Sequence, residues 1–436
     1  MHMKRKLIRN RFLLTALAAG LAFAFFPKRT EAIPAFARKY GVSCYTCHTI
    51  FPRLNKFGYE FKRLGYRMPP DWEGKKAPTT IRMMASHKPF SLTDTAAIFL
   101  RTDVDWSKAT AQDGTSASNS SIDLAEASVL WGGAIPNSNF SYFGEYVMYE
   151  DGGSDLERAR LAYTGGNVEN SWFVGIGKGH LQEGFRASDT MGLTDDDTPL
   201  VFTLASPNGF SFDQSPGLVE GGYTYMAPNY NYVVGLTAKV TNGVDANGEG
   251  ITSGSQYNHK DVWFDGDFLI GDNASVSLMY YKGRKPQVQN AGTPFEFTYQ
   301  PQQTRYGLFG HYEFMDHLDV LAGYAHSKED WQGLVTDPVT TFNGYSWFGE
   351  LDYYIKQGLV VYGRYDKAHF DQPSMALFAL QSPLGQRQYM LGVMKAVTRR
   401  GNAKVYLQYT DTKNNDIYGD FPAKTQEAKF GVDLGW

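Results

Sequence analysis

The chain has 436 residues, a formal net charge of −3, two cysteines and 15% aromatic residues. Mean hydropathy is negative and no run approaches eighteen apolar residues, which excludes helical membrane spans. The acidic balance attracts cations and argues against nucleic acid as a partner.

Residues 1–32 read as a secretory signal peptide: Lys4, Arg5, Lys6, Arg9 and Arg11 are basic, Leu13 to Phe26 is apolar, and Thr30-Glu31-Ala32 approximates a cleavage site. The segment carries a net +6, so its removal leaves a mature chain at −9. An uncleaved anchor is the alternative, because Pro27-Lys28-Arg29 is an unusual approach to the site. Export would deliver the cysteines to the compartment where bacterial c-type haem is attached.

Both cysteines fall in Cys44-Tyr45-Thr46-Cys47-His48. A C-x-x-C-H run can place two thiols against the two vinyl groups of one haem and offer the next imidazole to its iron, so haem c is the expected cofactor and His48 the axial ligand. A disulfide, a redox dithiol and half a zinc site are the competing readings. The zinc reading lacks a nearby second pair, and the redox reading lacks a βαβ pattern. Ile33 to Gly41 reads as a short helix stopped by glycine, and Pro52 suits the first position of a second helix. Leu54, Phe57, Phe61 and Leu64 recur at helical spacing, forming a stripe that suits a porphyrin face or a barrel wall. Met68 is the first choice for a distal ligand, with Met83, Met84, His87 or an open position as rivals. The haem segment is assigned to 33–76, a linker to 77–91 and the remainder, 92–436, to a second domain.

That second domain shows short alternating strands rather than amphipathic helices. Sixteen segments are expected, near 95–107, 120–134, 138–150, 154–165, 170–180, 216–226, 229–241, 257–270, 273–284, 302–315, 317–330, 342–355, 358–369, 385–398, 402–412 and 423–436. Connections after even-numbered segments are short, such as Pro136-Asn137 and Gly271-Asp272. Those after odd-numbered segments are mostly long: 108–119, 181–215, 242–256, 285–301, 331–341 and 370–384. Segregation by parity, an even count and a terminal Phe430, Val432, Leu434, Trp436 alternation predict an all-β, sixteen-stranded antiparallel transmembrane β-barrel in outer-membrane lipid. Asp103, Asp105, Arg158, Arg160, Lys239 and Glu350 are expected in a solvated lumen. An apolar band about 25 Å tall is too thick for one redox group left below it. The haem segment is therefore expected to plug the lumen, entering from the periplasmic side.

The run Pro34-Ala35-Phe36-Ala37-Arg38, Gly41, Cys44, Cys47, His48, Phe51-Pro52, Leu54, Phe57-Gly58, Phe61-Lys62 and Gly65-Tyr66 resembles the fused outer-membrane cytochrome–porins of iron-oxidising bacteria. The specific likeness covers about residues 33–68; the remainder is similar in architecture alone. It implies Cys44 and Cys47 as thioether positions, His48 as proximal ligand, extracellular Fe(II) as electron donor and a periplasmic cytochrome or copper protein as acceptor. The activity implied is of the Fe(II):cytochrome c oxidoreductase type. Tyr59 departs from the family, where a basic residue is expected after Phe57-Gly58. Asp195-Asp196-Asp197 and Glu329-Asp330 are the acidic loop residues suited to gathering a hard cation. Outward electron transfer to a mineral or partner cell, and a diffusion porin with a haem-bearing plug, are the alternatives.

Overall fold

In a computed structural model, the described residues are 35–68, 95–150, 152–187, 193, 199–203, 216–227, 231–242, 260–284, 287–289, 297–299, 302–315, 317–331, 340–371, 385–398, 401–415 and 422–435. The signal peptide and the linker expected at 77–91 lie outside them.

The N-terminal part begins with helix α1 (Ala35–Tyr40), stopped by Gly41 at φ +72°, and a single 3₁₀ turn over Cys44–Thr46. A minimal hairpin follows, β1 (His48–Ile50) and β2 (Arg53–Leu54), then helix α2 (Lys56–Arg63). Pro52 is therefore not the first residue of a helix. It sits in the hairpin turn, and the helix begins after Asn55, whose side-chain oxygen accepts from the Gly58 amide at 2.9 Å. An Asn at this position satisfies an amide that the first helical turn would leave without a partner, which a proline cannot do.

The barrel strands are β3 (Ala96–Thr110), β4 (Ser116–Ala134), β5 (Phe140–Glu150), β6 (Gly153–Gly166), β7 (Asn170–Lys178), β8 (Gly217–Met226), β9 (Tyr232–Thr241), β10 (Asp261–Ile270) and β11 (Ala274–Arg284). A two-stranded excursion, β12 (Gln287–Gln289) and β13 (Phe297–Tyr299), interrupts the series within a long connection. The barrel resumes with β14 (Gln302–Phe314), β15 (Leu318–Trp331), β16 (Thr340–Lys356), β17 (Leu359–Phe370), β18 (Gly385–Ala396), β19 (Ala403–Asn415) and β20 (Lys424–Gly435). Each pairs antiparallel with its neighbour, and β20 closes the sheet on β3, giving a closed barrel of sixteen strands with no free edge.

Connections of two to six residues (135–139, 167–169, 227–231, 271–273, 315–317, 357–358 and 397–402) lie at one end, as the parity pattern predicts. The connection expected at 108–119 is much shorter. β3 runs to Thr110 and β4 starts at Ser116, because Asp113 accepts from the Thr115 amide (2.8 Å) and hydroxyl (2.6 Å) and Gly114 takes φ +82°. This Asp-Gly turn chemistry extends the hairpin. A further short helix, α3 (Leu200–Thr203), lies in the long connection after β7.

Alternation sorts the two faces. Outward side chains such as Leu278, Leu308 and Tyr306 are exposed and adjacent across strands, forming the apolar face that lipid requires. No helix among the described residues is long and apolar enough to cross a membrane. Inward, α2 packs Tyr59 and Leu64 against Val168, Met226, Val233 and Leu269, near the short connections. From the connection after β7, Leu181, Phe185 and Phe202 pack on Trp263, Met279, Tyr281, Phe309 and Phe348. Two inserted segments thus pack against the inner wall of the barrel.

Candidate functional site

The 3₁₀ turn carrying Cys44 and Cys47 is held from behind by α2. The Asn55 amide donates to the Cys47 carbonyl at 3.0 Å, and Asn55 Nδ2 donates to the Thr46 carbonyl at 3.1 Å. One residue therefore caps the helix and ties down the motif. Gly58 faces the same carbonyl so closely that a Cβ would overlap it. Both thiols are free of a disulfide, and burial pushes the Cys47 thiol up to about 12.

His48 is aimed by its own chain. Nδ1 lies 2.9 Å from the Pro52 carbonyl oxygen; donating a proton there fixes the tautomer that leaves the lone pair on Nε2. Burial lowers the ring to about 4, opposed by the Pro52 and Arg53 carbonyls and assisted by Lys404, so the imidazole is neutral near pH 7. A neutral ring with a directed lone pair has the form in which imidazole can ligate a metal.

Cys44, Cys47, His48 and Met68 all line one cavity of about 470 Å³. Its apolar walls come from Phe36, Tyr40, Leu54 and Phe61 of the inserted segment and from Phe99 and Phe143 of the barrel. The expected stripe divides its work: Leu54 and Phe61 face the cavity, Phe57 packs beside it, and Leu64 packs on the barrel wall. Met68 reaches the cavity by a sharp reversal after α2. Gly65 (φ +65°) and Tyr66 (φ +61°) are both left-handed, a costly conformation for tyrosine. The reversal is held by the Tyr40 hydroxyl on the Tyr66 carbonyl (2.8 Å) and by Tyr66 stacked on Phe36 at 5.0 Å. Arg67 completes the anchor, donating to the carbonyls of Leu64, Gly65, Ser138 and Phe140 at 3.0–3.1 Å. Met83, Met84 and His87 lie outside the described residues.

Charge gathers at two rims of the cavity. Arg101, Glu126, Lys404 and Asp433 form one group, with Lys404 3.0 Å and Arg101 3.5 Å from Asp433. Arg158, Glu145 and Glu183 form the other, with Arg158 3.3 Å from Glu145. All but Glu183, which lies in the connection after β7, are barrel residues, and none carries a local sequence signal tying it to the motif, since each lies far along the chain. Asn55 and Gly58 did carry one, the cap and the small residue after Phe57.

The lumen is not simply a solvated interior. Asp103, Lys239 and Glu350 are each 1% exposed. Lys239 donates to the carbonyls of His180, Leu181 and Glu183, while Glu350 receives Arg53 at 3.2 Å alongside Asp319 and Asp352. Tyr59, the position expected to be basic, donates to Asp267, and Arg63 donates to Thr224 and Thr237 at 2.9 and 2.7 Å. Polar strand residues thus grip the inserted segments.

Among the described residues no three carboxylate, histidine or cysteine side chains converge as a cation site. Glu329 is buried 3.7 Å from Arg305, and Asp330 is engaged by Lys328 and Thr341. Asp195–Asp197 lie outside the described residues.

No family model matches the chain, and no curated protein does. The likeness is to solved structures. The anion-selective porin from Comamonas acidovorans aligns with TM-score 0.54 at 11% identity, over 78% of this chain and 99% of that one. OmpT, an outer membrane protein of Vibrio cholerae, gives 0.53 at 12% identity over 78% and 96%. The outer membrane channel DcaP of Acinetobacter baumannii gives 0.53 at 10% identity over the same shares. At these identities the shared property is the fold: a porin-type, sixteen-stranded antiparallel barrel.

Proposed function

We propose that this chain is an outer-membrane electron-transfer protein. In this reading one haem c is attached through Cys44 and Cys47, ligated by His48 and Met68, and held inside the barrel. The observation that carries the reading is that all four side chains share one cavity within the lumen. Three further features fit the group: a volume within the usual ~300–1,000 Å³ range of ligand pockets, apolar walls, and a neutral imidazole whose tautomer is fixed by a backbone carbonyl. When bound, the group supplies a one-electron couple. The chain's residues do the rest. His48 and Met68 would hold its iron, Phe36, Tyr40 and Phe61 would keep bulk water from it, and Arg101, Arg158 and Lys404 would be the cationic side chains available to its carboxylates.

Extracellular Fe(II) as donor, leaving as Fe(III) after giving one electron, and a periplasmic cytochrome or copper protein as acceptor follow from the resemblance at residues 33–68. Stopped-flow mixing of the purified haem-loaded protein with Fe(II) tests the donor: reduction of the visible spectrum is expected, and its absence at neutral and acid pH removes Fe(II) from the account.

A second reading, a diffusion porin, is favoured by the likeness to channels. Planar-bilayer conductance separates the two, because a lumen carrying two inserted segments should be nearly silent. A large, steady channel would favour the porin.

A further inference from the structure

We infer that Arg53 is a positioning residue, through which the barrel wall sets the orientation of the His48 imidazole. The inference rests on the haem reading above. Arg53 follows Pro52 directly, and Pro52 supplies the carbonyl 2.9 Å from His48 Nδ1. The Arg53 guanidinium is 1% exposed and spread over two barrel strands: Nη1 donates to Asp319 of β15 (2.5 Å) and to the Tyr354 hydroxyl of β16 (2.9 Å), Nη2 to Glu350 (3.2 Å) and Asp352 of β16. These acceptors are themselves fixed. The Tyr354 hydroxyl donates to Asp319 at 3.1 Å, His311 lies 3.3 Å from Asp319, and Arg364 lies 3.9 Å from Glu350.

A planar fork held at both ends by rigid strands cannot drift, and a lysine ammonium cannot copy it. The hairpin turn is therefore pinned one residue from the carbonyl that receives the His48 proton. Weakening that hydrogen bond makes the imidazole a poorer electron donor and stabilises the reduced metal relative to the oxidised.

The experiment uses full-length, haem-loaded protein and two variants that leave the charge unchanged, Arg53→Lys and Tyr354→Phe. Haem content is read as the pyridine haemochrome, barrel integrity by heat-modifiable gel migration, the couple by redox titration, and ring orientation by electron paramagnetic resonance of the oxidised form. Both variants are expected to keep haem and barrel, to alter the g-values in the same sense, and to raise the reduced-to-oxidised ratio several-fold at a fixed poise. A tenfold change would be about 59 mV for one electron. Should Arg53→Lys fail to fold, Tyr354→Phe carries the test. Haem-loaded wild type with unmoved ratio and g-values in the folded variants overturns this inference alone; wild type without covalent haem overturns it together with the haem reading.

Discussion

The Tyr59 hydroxyl donates to Asp267 Oδ2 at 2.9 Å, joining helix α2 to barrel strand β10 where neither side chain meets solvent. Asp267 also receives the Ser277 hydroxyl at 2.5 Å and the Arg186 amide at 3.2 Å, so both inserted segments meet on one carboxylate. Tyr59→Phe removes one of these bonds and leaves the other two. A hydrogen bond to a charged group contributes about 1.5–3 kcal/mol, or roughly ten- to a hundredfold in an opening equilibrium. Amide exchange of residues 56–63 in the folded barrel should accelerate by that factor, while exchange in β18 and β19 stays as in wild type. Unchanged exchange in α2 would show that the bond does not hold the helix.

Cys44 and Cys47 sit on the cavity wall beside His48. Replacing both with alanine should leave the barrel folded and abolish covalent attachment, so that acidified acetone extracts all the haem. Each single variant should retain one linkage and resist extraction. Extraction from wild type to the same extent would eliminate thioether attachment. His48→Ala should lose the low-spin spectrum even where the thiols react.

The barrel was legible because lipid and lumen impose a two-residue period that Leu278, Leu308 and their neighbours keep strictly, and because short turns such as Gly271-Asp272 announce themselves by composition. The motif residues were legible because their spacing is local. What escaped was long-range. Nothing around Asp319, Glu350 or Asp352 marks them as acceptors for a residue some 270 to 300 positions earlier, and acidic lumen residues otherwise look like a wet interior. The hairpin at Pro52 escaped for a different reason. Proline suits a helix start and a tight turn equally, and the choice fell to Asn55, whose side chain both caps α2 and grips the Thr46 carbonyl.

Met68 shares the cavity with His48, brought there by the left-handed pair Gly65 and Tyr66. A thioether ligand raises the reduction potential relative to bis-imidazole ligation. Met68→His should therefore keep a low-spin spectrum and lower the potential, and Met68→Ala should give a high-spin or exogenous-ligand-binding haem. An unchanged spectrum in Met68→Ala would assign the distal position to another residue.

Glu183 belongs to the inserted connection after β7 and lines the same cavity. Burial alone would raise its carboxyl, but Lys62, Arg158, Arg160 and Lys239 outweigh burial and hold it down at about 2, against an ordinary value of 4.5. A carboxylate held below its unfolded value stabilises the fold above that value and loses the contribution as pH falls towards 2. Glu183→Gln should therefore be less stable than wild type near neutrality, by at most about 3 kcal/mol. The gap in thermal midpoint should close between about pH 4.5 and about pH 2. A gap that persists undiminished in acid would mean that the amide disturbs packing rather than charge.

Gly58 lies against the motif, with the Cys47 carbonyl occupying the space a side chain would need and Leu54 Cδ2 2.8 Å from the same point. Alanine is the better helix former by about 1 kcal/mol, so propensity alone predicts a slightly more stable α2 in Gly58→Ala. Overlap with a backbone carbonyl outweighs that gain, because neither partner can rotate away and overpacking typically costs about 1–3 kcal/mol. The relief available is to push the 3₁₀ turn outward, which strains the Asn55 amide bond to Cys47 and misplaces His48. Gly58→Ala should fold its barrel normally and show a several-fold lower haem content than wild type, with Gly217→Ala, where a Cβ meets nothing within 4 Å, as the matched control. Equal haem content in the two variants would show that close contact between α2 and the motif is not what holds the cysteines in place.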